Sequence, residues 1–180
     1  MPGKADGRDE SPVMPGQSNR TGWWVLLAYR LPREPSNPRV AVWRKLERLG
    51  VARLGDGLVA LPADARTREQ LDWLAEEILE AGGTAMVWLA TPGSAAQERV
   101  VAEAMRAARA ADYRGVADQA RHAAGAGAAE RRRELRRLRG QLQRIARRDF
   151  FPPAEREVAR AAVDALAAEA ATPAVVEAGP

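Results

Sequence analysis

Nine arginines and a single glutamate lie between Arg131 and Arg148. Clustered guanidinium groups attract phosphates, and phosphate contacts supply most of the sequence-independent affinity of proteins for nucleic acid. Arg131, Arg132, Arg133, Arg136, Arg137, Arg139 and Arg144 are therefore the candidate nucleic-acid contacts. A solvated helical face is the plain alternative. Other chemistry has less to stand on. His122 is the only histidine and there is no Cys, which excludes disulfides, thiol chemistry and a zinc site of the usual composition. An exposed helical histidine is expected. Asp56, Asp64, Asp72, Asp112, Asp118 and Asp149 have no spacing that pairs one of them with a general acid, so each reads as a turn, cap or solvated helix residue. No Gly-rich segment fits a P-loop or a dinucleotide fingerprint, and Gly55-Asp56-Gly57 is a turn. No catalytic residue, metal site or cofactor is expected.

These residues need a scaffold, and its centre is the run Trp23-Trp24-Val25-Leu26-Leu27-Ala28-Tyr29-Arg30-Leu31. It is apolar on both alternating faces, as a central strand is. A loop from Pro32 to Pro38 leads into a helix with Ser36 or Asn37 at its cap, Val42, Trp43, Leu46 and Leu49 along its sheet-facing stripe, and Gly50 at its end. Val51 to Leu54 and Leu58 to Leu61 form a hairpin around Gly55-Asp56-Gly57. Thr67 to Gln70 has capping-box form and opens a second helix carrying Leu71, Leu74, Ala75, Ile78 and Leu79. A fourth strand, Thr84 to Ala90, follows Gly82-Gly83. The expected class is α+β, a ferredoxin-like βαββαβ domain at 22–92 followed by a C-terminal helical extension at 93–170. Ser94 caps the first extension helix, with Val100, Val101, Ala104, Met105 and Ala108 inward and a break near Gly115. In the Arg-rich helix Leu135, Leu138, Leu142 and Ile145 form the seam. A last helix, about Ala154 to Ala170, carries Val158, Ala162, Ala165 and Leu166.

Composition agrees with this division. The 180 residues are 46% hydrophobic and 29% charged, and all five Trp lie between Trp23 and Trp88, where packing is their expected role. Beyond residue 93 the chain turns to Ala, Arg and Glu, which favour long helices. Residues 1–21 read as a disordered leader and 171–180 as a frayed tail. No apolar run approaches the roughly 18 residues of a membrane span, and no signal segment opens the chain, so a cytoplasmic protein with no membrane contact is expected.

Trp23-Trp24-Val25-Leu26-Leu27, Leu31-Pro32, Arg39 to Leu46, Leu49-Gly50, Asp56-Gly57-Leu58, Leu61-Pro62, Arg106, Arg109, Asp112-Tyr113 and Asp149-Phe150-Phe151-Pro152 occur in an order and spacing that resembles the N-terminal domain of the chromate-resistance regulator ChrB. The likeness covers about residues 22 to 168. The core is also similar to the middle domain of PaaX-type repressors and, more distantly, to the small CRISPR nuclease subunit of that fold. The nuclease relatives have an Asp at the end of the first strand, where this chain has Tyr29-Arg30-Leu31, so metal-dependent cleavage is not expected.

The resemblance implies a regulator linked to chromate resistance, with DNA and chromate or another oxyanion as candidate partners. It also implies that the chain lacks the second, C-terminal domain of longer relatives and the winged helix of PaaX-type repressors. A non-enzymatic interaction module that pairs with a separate regulator chain carrying the missing domain is the alternative function, and a homodimer is expected as a further candidate because ferredoxin-like sheets often pair through edges or helices. Chromate is a tetrahedral dianion that suits arginine forks, which makes Arg30, Arg39, Arg106 and Arg109 the candidate anion pocket.

Overall fold

The computed structural model describes residues 22–34 and 36–171. The expected leader at 1–21, and the tail beyond Ala171, lie outside the described residues. The elements run β1 (Trp24–Arg30), α1 (Asn37–Leu49), β2 (Ala52–Gly55), β3 (Leu58–Pro62), α2 (Ala65–Glu80), β4 (Thr84–Ala90), α3 (Ala95–Ala124), α4 (Ala128–Ala146) and α5 (Glu155–Ala171). This is an α+β architecture with one four-stranded antiparallel sheet, ordered β2-β3-β1-β4. The apolar run at Trp24–Arg30 is a central strand, paired with β3 on one side and β4 on the other.

Alternation along β1 sets the layers. Val25 and Leu27 are fully buried and join Val42 and Leu46 of α1 and Leu71 and Ile78 of α2 in one core. Trp24 points to the opposite face, where its indole nitrogen donates to Glu98 at 3.4 Å and its ring stacks on Phe151 at 6.1 Å. The start of α3 and the Phe150-Phe151 corner therefore cover part of the second face. A second core lies beyond it. Tyr113, Val116, Ala117 and Ala120 of α3 pack with Leu135, Leu138 and Ile145 of α4 and with Ala159, Val163 and Leu166 of α5. The seam read from Leu135, Leu138, Leu142 and Ile145 is thus the buried side of α4, with Leu142 partly exposed.

Several local expectations shift. The start of α2 lies earlier than the Thr67 box suggests: Asp64 is the N-cap, accepting from the Thr67 amide at 2.6 Å, while the Thr67 hydroxyl accepts from the Asp64 amide at 2.9 Å. Thr67 is the N3 partner of that box and not its cap. No break occurs at Gly115, because α3 is stabilised by packing on both α4 and α5 over that stretch. On α3 the inward register differs too, with Val100, Ala104 and Ala108 exposed and Val101 and Met105 inward. On α5 Val158 and Ala165 are exposed, and Ala159, Val163 and Leu166 are buried. Alanine carries too little hydrophobic contrast to phase an Ala-rich helix. The tryptophans also depart from expectation. Only Trp24 is buried, whereas Trp23, Trp43, Trp73 and Trp88 are more than half exposed.

Among the described residues, no helix is long and apolar enough to cross a membrane, and no group of His, Cys, Asp or Glu could hold a metal ion.

Candidate nucleic-acid interface

The arginines of α4 divide by helical phase. At 3.6 residues per turn, Arg132, Arg136, Arg139 and Arg147 fall within an arc of about 80°, opposite Leu138 and Ile145. Those two apolar residues are buried, which turns the arginine arc outward. All four arginine side chains are exposed, and none has an ion pair or hydrogen bond among the described residues. With 1.5 Å rise per residue the stripe is about 22 Å long, the reach of roughly six phosphates along one strand. Arg147 is not among the sequence candidates, although the arginine run read from the sequence extends to Arg148; in the structure it is the C-cap of α4. It lies about three turns past Arg136 and continues the phase of the stripe.

The other candidates on α4 are committed or lie at the margins. Arg131 is partly buried and donates to the carbonyls of Ala124 and Ala126, at 3.2 and 3.0 Å, closing the end of α3. Arg137 bridges Glu134 at 2.7 Å and donates to Gln119 at 2.6 Å. Arg133 lies 3.7 Å from Glu130. Arg144 is exposed and borders a depression of about 340 Å³ shared with Arg48, Asp112, Gln141, Ile145 and Arg148.

At that depression α1, α3 and α4 meet. Asp112 Oδ2 accepts from Arg148 at 3.1 Å and sits 3.1 Å from the Arg109 Nε. Arg148 also donates to the Glu47 carbonyl at 2.7 Å, near the end of α1. The end of α1 accepts this cover because Gly50 has a φ of +70°; a Cβ there would lie 2.9 Å from Arg148 Cβ and 3.0 Å from Arg109 Nη1. The Arg109 guanidinium is held below its ordinary arginine pKa, first by burial and then by repulsion from Arg148. Asp112 is the foremost of the carboxylates that offset this repulsion, ahead of Asp149 and Glu47.

The four candidate anion ligands do not form one pocket. Arg30 and Arg39 border a depression with Tyr29, Trp43 and Asp56. Arg109 lies in the α1, α3 and α4 junction, and Arg106 is exposed beside Glu103 at 3.5 Å. The reason is the register of α3, which turns Arg109 toward α1 and Arg106 to solvent. His122 is exposed, as expected of a solvated helical histidine.

A corner links the two cores. Tyr113 donates to Asp149 at 3.0 Å, the Asp149 side chain is fully buried 3.8 Å from Arg156, and Phe150 lies under the Arg66 guanidinium at 5.9 Å. Burial, together with the bond to Asp149, pushes the Tyr113 hydroxyl up to about 12.

A family model described as Protein ChrB, N-terminal, matches residues 39–174. The chain belongs to the ChrB N-terminal family. No curated protein matches it, and no solved structure does. The ChrB match begins in α1 and takes in β2 through α5, so the arginine stripe, the three-helix junction and the Asp149 corner all lie inside it. β1, the strand on which the sheet is built, lies before it.

Proposed function

We propose that this chain is a cytoplasmic, non-enzymatic regulator of the chromate-resistance type that binds DNA through the outer face of α4. One observation carries the reading: Arg132, Arg136, Arg139 and Arg147 line a single exposed face, and among the described residues no carboxylate pairs with them. Family membership supports the regulatory context, with chromate or another oxyanion as the effector. We read the first unit as ferredoxin-like on the strength of its element and strand order. The test is binding to the chain's own upstream DNA over a range of salt, with and without chromate. Four phosphate contacts correspond to a log–log salt slope of about −3.6, and replacing all four arginines by Ala is expected to remove that slope and weaken binding on the order of 100-fold. Retention of the slope in the variant would refute the assignment.

A second reading, association with another chain, is favoured by β4. Its seven residues carry no charge, it forms one edge of the sheet, and Met86 and Trp88 are 60% and 55% exposed on the face that α3 leaves open. The opposite edge is defended by contrast: β2 is four residues long, irregular between Arg53 and Gly55, and bears an Arg53–Glu47 ion pair. Sedimentation of the wild-type chain is expected to show concentration-dependent self-association that Trp88→Lys abolishes. A monomer at every concentration would exclude homodimer pairing through β4.

A further inference from the structure

We propose that the depression between α1, the end of β1 and the β2–β3 turn is a binding site for a nucleoside phosphate. It has a volume of about 570 Å³, and Tyr29, Arg30, Arg39, Val40, Trp43 and Asp56 are among the residues that line it. Small-molecule sites span roughly 300–1,000 Å³.

The lining brings uncommitted groups of different chemistry, an indole, guanidinium groups and a carboxylate, to one depression. Trp43 lies on the helix expected to cover the sheet, yet it is 51% exposed, beside Val40 at 45%. Arg30 has no protein partner among the described residues, and Arg39 has one long contact, to the Arg33 carbonyl at 3.4 Å. The Asp56 carboxylate has none. By comparison, Arg53, Arg68, Arg106, Arg114, Arg121 and Arg160 are all within ion-pair distance of a carboxylate.

Each uncommitted group suits a different part of one ligand. An exposed indole face stacks a nucleobase irrespective of its identity. Two arginines provide paired, charge-assisted donors for a phosphate. A carboxylate accepts from sugar hydroxyls or an exocyclic amine. An inorganic oxyanion would use only the arginines, and an aryl carboxylate would offer Asp56 no donor. The turn that carries Asp56 is fixed in place. Gly57 has a φ of +73°, its carbonyl accepts from the Tyr29 amide at 2.7 Å, and a Cβ on it would lie 2.2 Å from the Tyr29 carbonyl oxygen. Only glycine lets the turn press against the end of β1, and this holds Asp56 beside Tyr29 and Arg30.

The ligand could be a free nucleotide or the terminal nucleotide of a single strand, since both present the same base, sugar and phosphate. Calorimetric titration of the full chain with AMP, GMP, CMP and UMP, and with a single-stranded tetranucleotide, separates the two sources. Similar affinity for monomer and tetramer identifies a free-nucleotide site, and at least tenfold tighter binding of the tetramer, kept when Arg132, Arg136, Arg139 and Arg147 are replaced by Ala, identifies a strand end. Trp43→Ala is expected to abolish saturable binding while Trp43→Phe retains most of it. Arg30→Ala with Arg39→Ala is expected to weaken binding at least tenfold. Asp56→Asn is expected to weaken nucleotide binding severalfold and leave inorganic phosphate unaffected. The altered side chains are at least partly exposed, and unchanged melting temperatures would show that the variants fold. The Arg132, Arg136, Arg139 and Arg147 variant is expected to bind nucleotide as the wild type does, which makes this site independent of the DNA-binding reading. Absence of saturable binding by every nucleotide, undiminished binding by Trp43→Ala, or displacement by equimolar inorganic phosphate or benzoate would overturn the proposal.

Discussion

Arg109 and Arg148, where α1, α3 and α4 meet, share the Asp112 carboxylate, and Arg148 also holds the Glu47 carbonyl; Arg132, Arg136, Arg139 and Arg147, on the outside of α4, hold nothing among the described residues. The residue type is the same in both regions. What differs is helical phase. Arginines turned toward another element meet its terminal carbonyls or a carboxylate and become structural, whereas those turned away keep their charge available. A basic count along a helix therefore overstates the functional surface, and the burial phase corrects it.

The sharpest way to break this comparison is to remove the carboxylate from the structural set. Asp112→Ala leaves Arg109 and Arg148 repelling each other in a partly buried site, and a loss of about 2–3 kcal/mol in urea unfolding is expected, since breaking a buried pair exposes the remaining charge to the full desolvation cost. A change below about 0.5 kcal/mol would place these arginines with the solvated ones.

A smaller effect is expected at the corner that joins the two cores. The Tyr113 hydroxyl is pushed up to about 12 from an ordinary 10 by burial and by its bond to Asp149. The folded chain thus keeps a proton that the unfolded chain releases. Its stabilising contribution is complete below pH 10 and is lost as pH rises toward 12, by up to about 2 kcal/mol at 1.36 kcal/mol per unit. Unfolding of the wild type and of Tyr113→Phe across pH 9 to 12 is expected to show this decline in the wild type alone. Parallel profiles would remove Tyr113 from the link between the cores.

Much of the scaffold was legible in the residues themselves. Trp24–Arg30 is apolar on both alternating faces and forms a central strand, and Gly55-Asp56-Gly57 sits at the hairpin turn, because turn chemistry and two-sided burial leave strong local signals. The 3-4-3 spacing of Leu135, Leu138, Leu142 and Ile145 likewise marked the buried side of α4. Val100 and Val158 misled, since neighbouring alanines give little contrast by which to phase α3 and α5. The dispersal of Arg30, Arg39, Arg106 and Arg109 was illegible for another reason: it depends on how α3 crosses the end of α1, which is a tertiary relation. The exposure of Trp43 was hidden by its place on an apolar stripe. Asp56 read simply as a turn residue, and its neighbours become visible only once the chain is folded.

The most direct test of the central claim is the salt dependence of upstream-DNA binding by the wild type and by two variants. One variant replaces Arg132, Arg136, Arg139 and Arg147 with Ala, and the other replaces Arg131 and Arg137. The first variant is expected to lose binding on the order of 100-fold and most of its salt slope, with folding stability within about 0.5 kcal/mol of the wild type. The second is predicted to lose stability while the folded protein keeps most of its DNA affinity. Equal losses of affinity in both variants, or none in the first, would contradict the division of α4 into a structural and a phosphate-binding face.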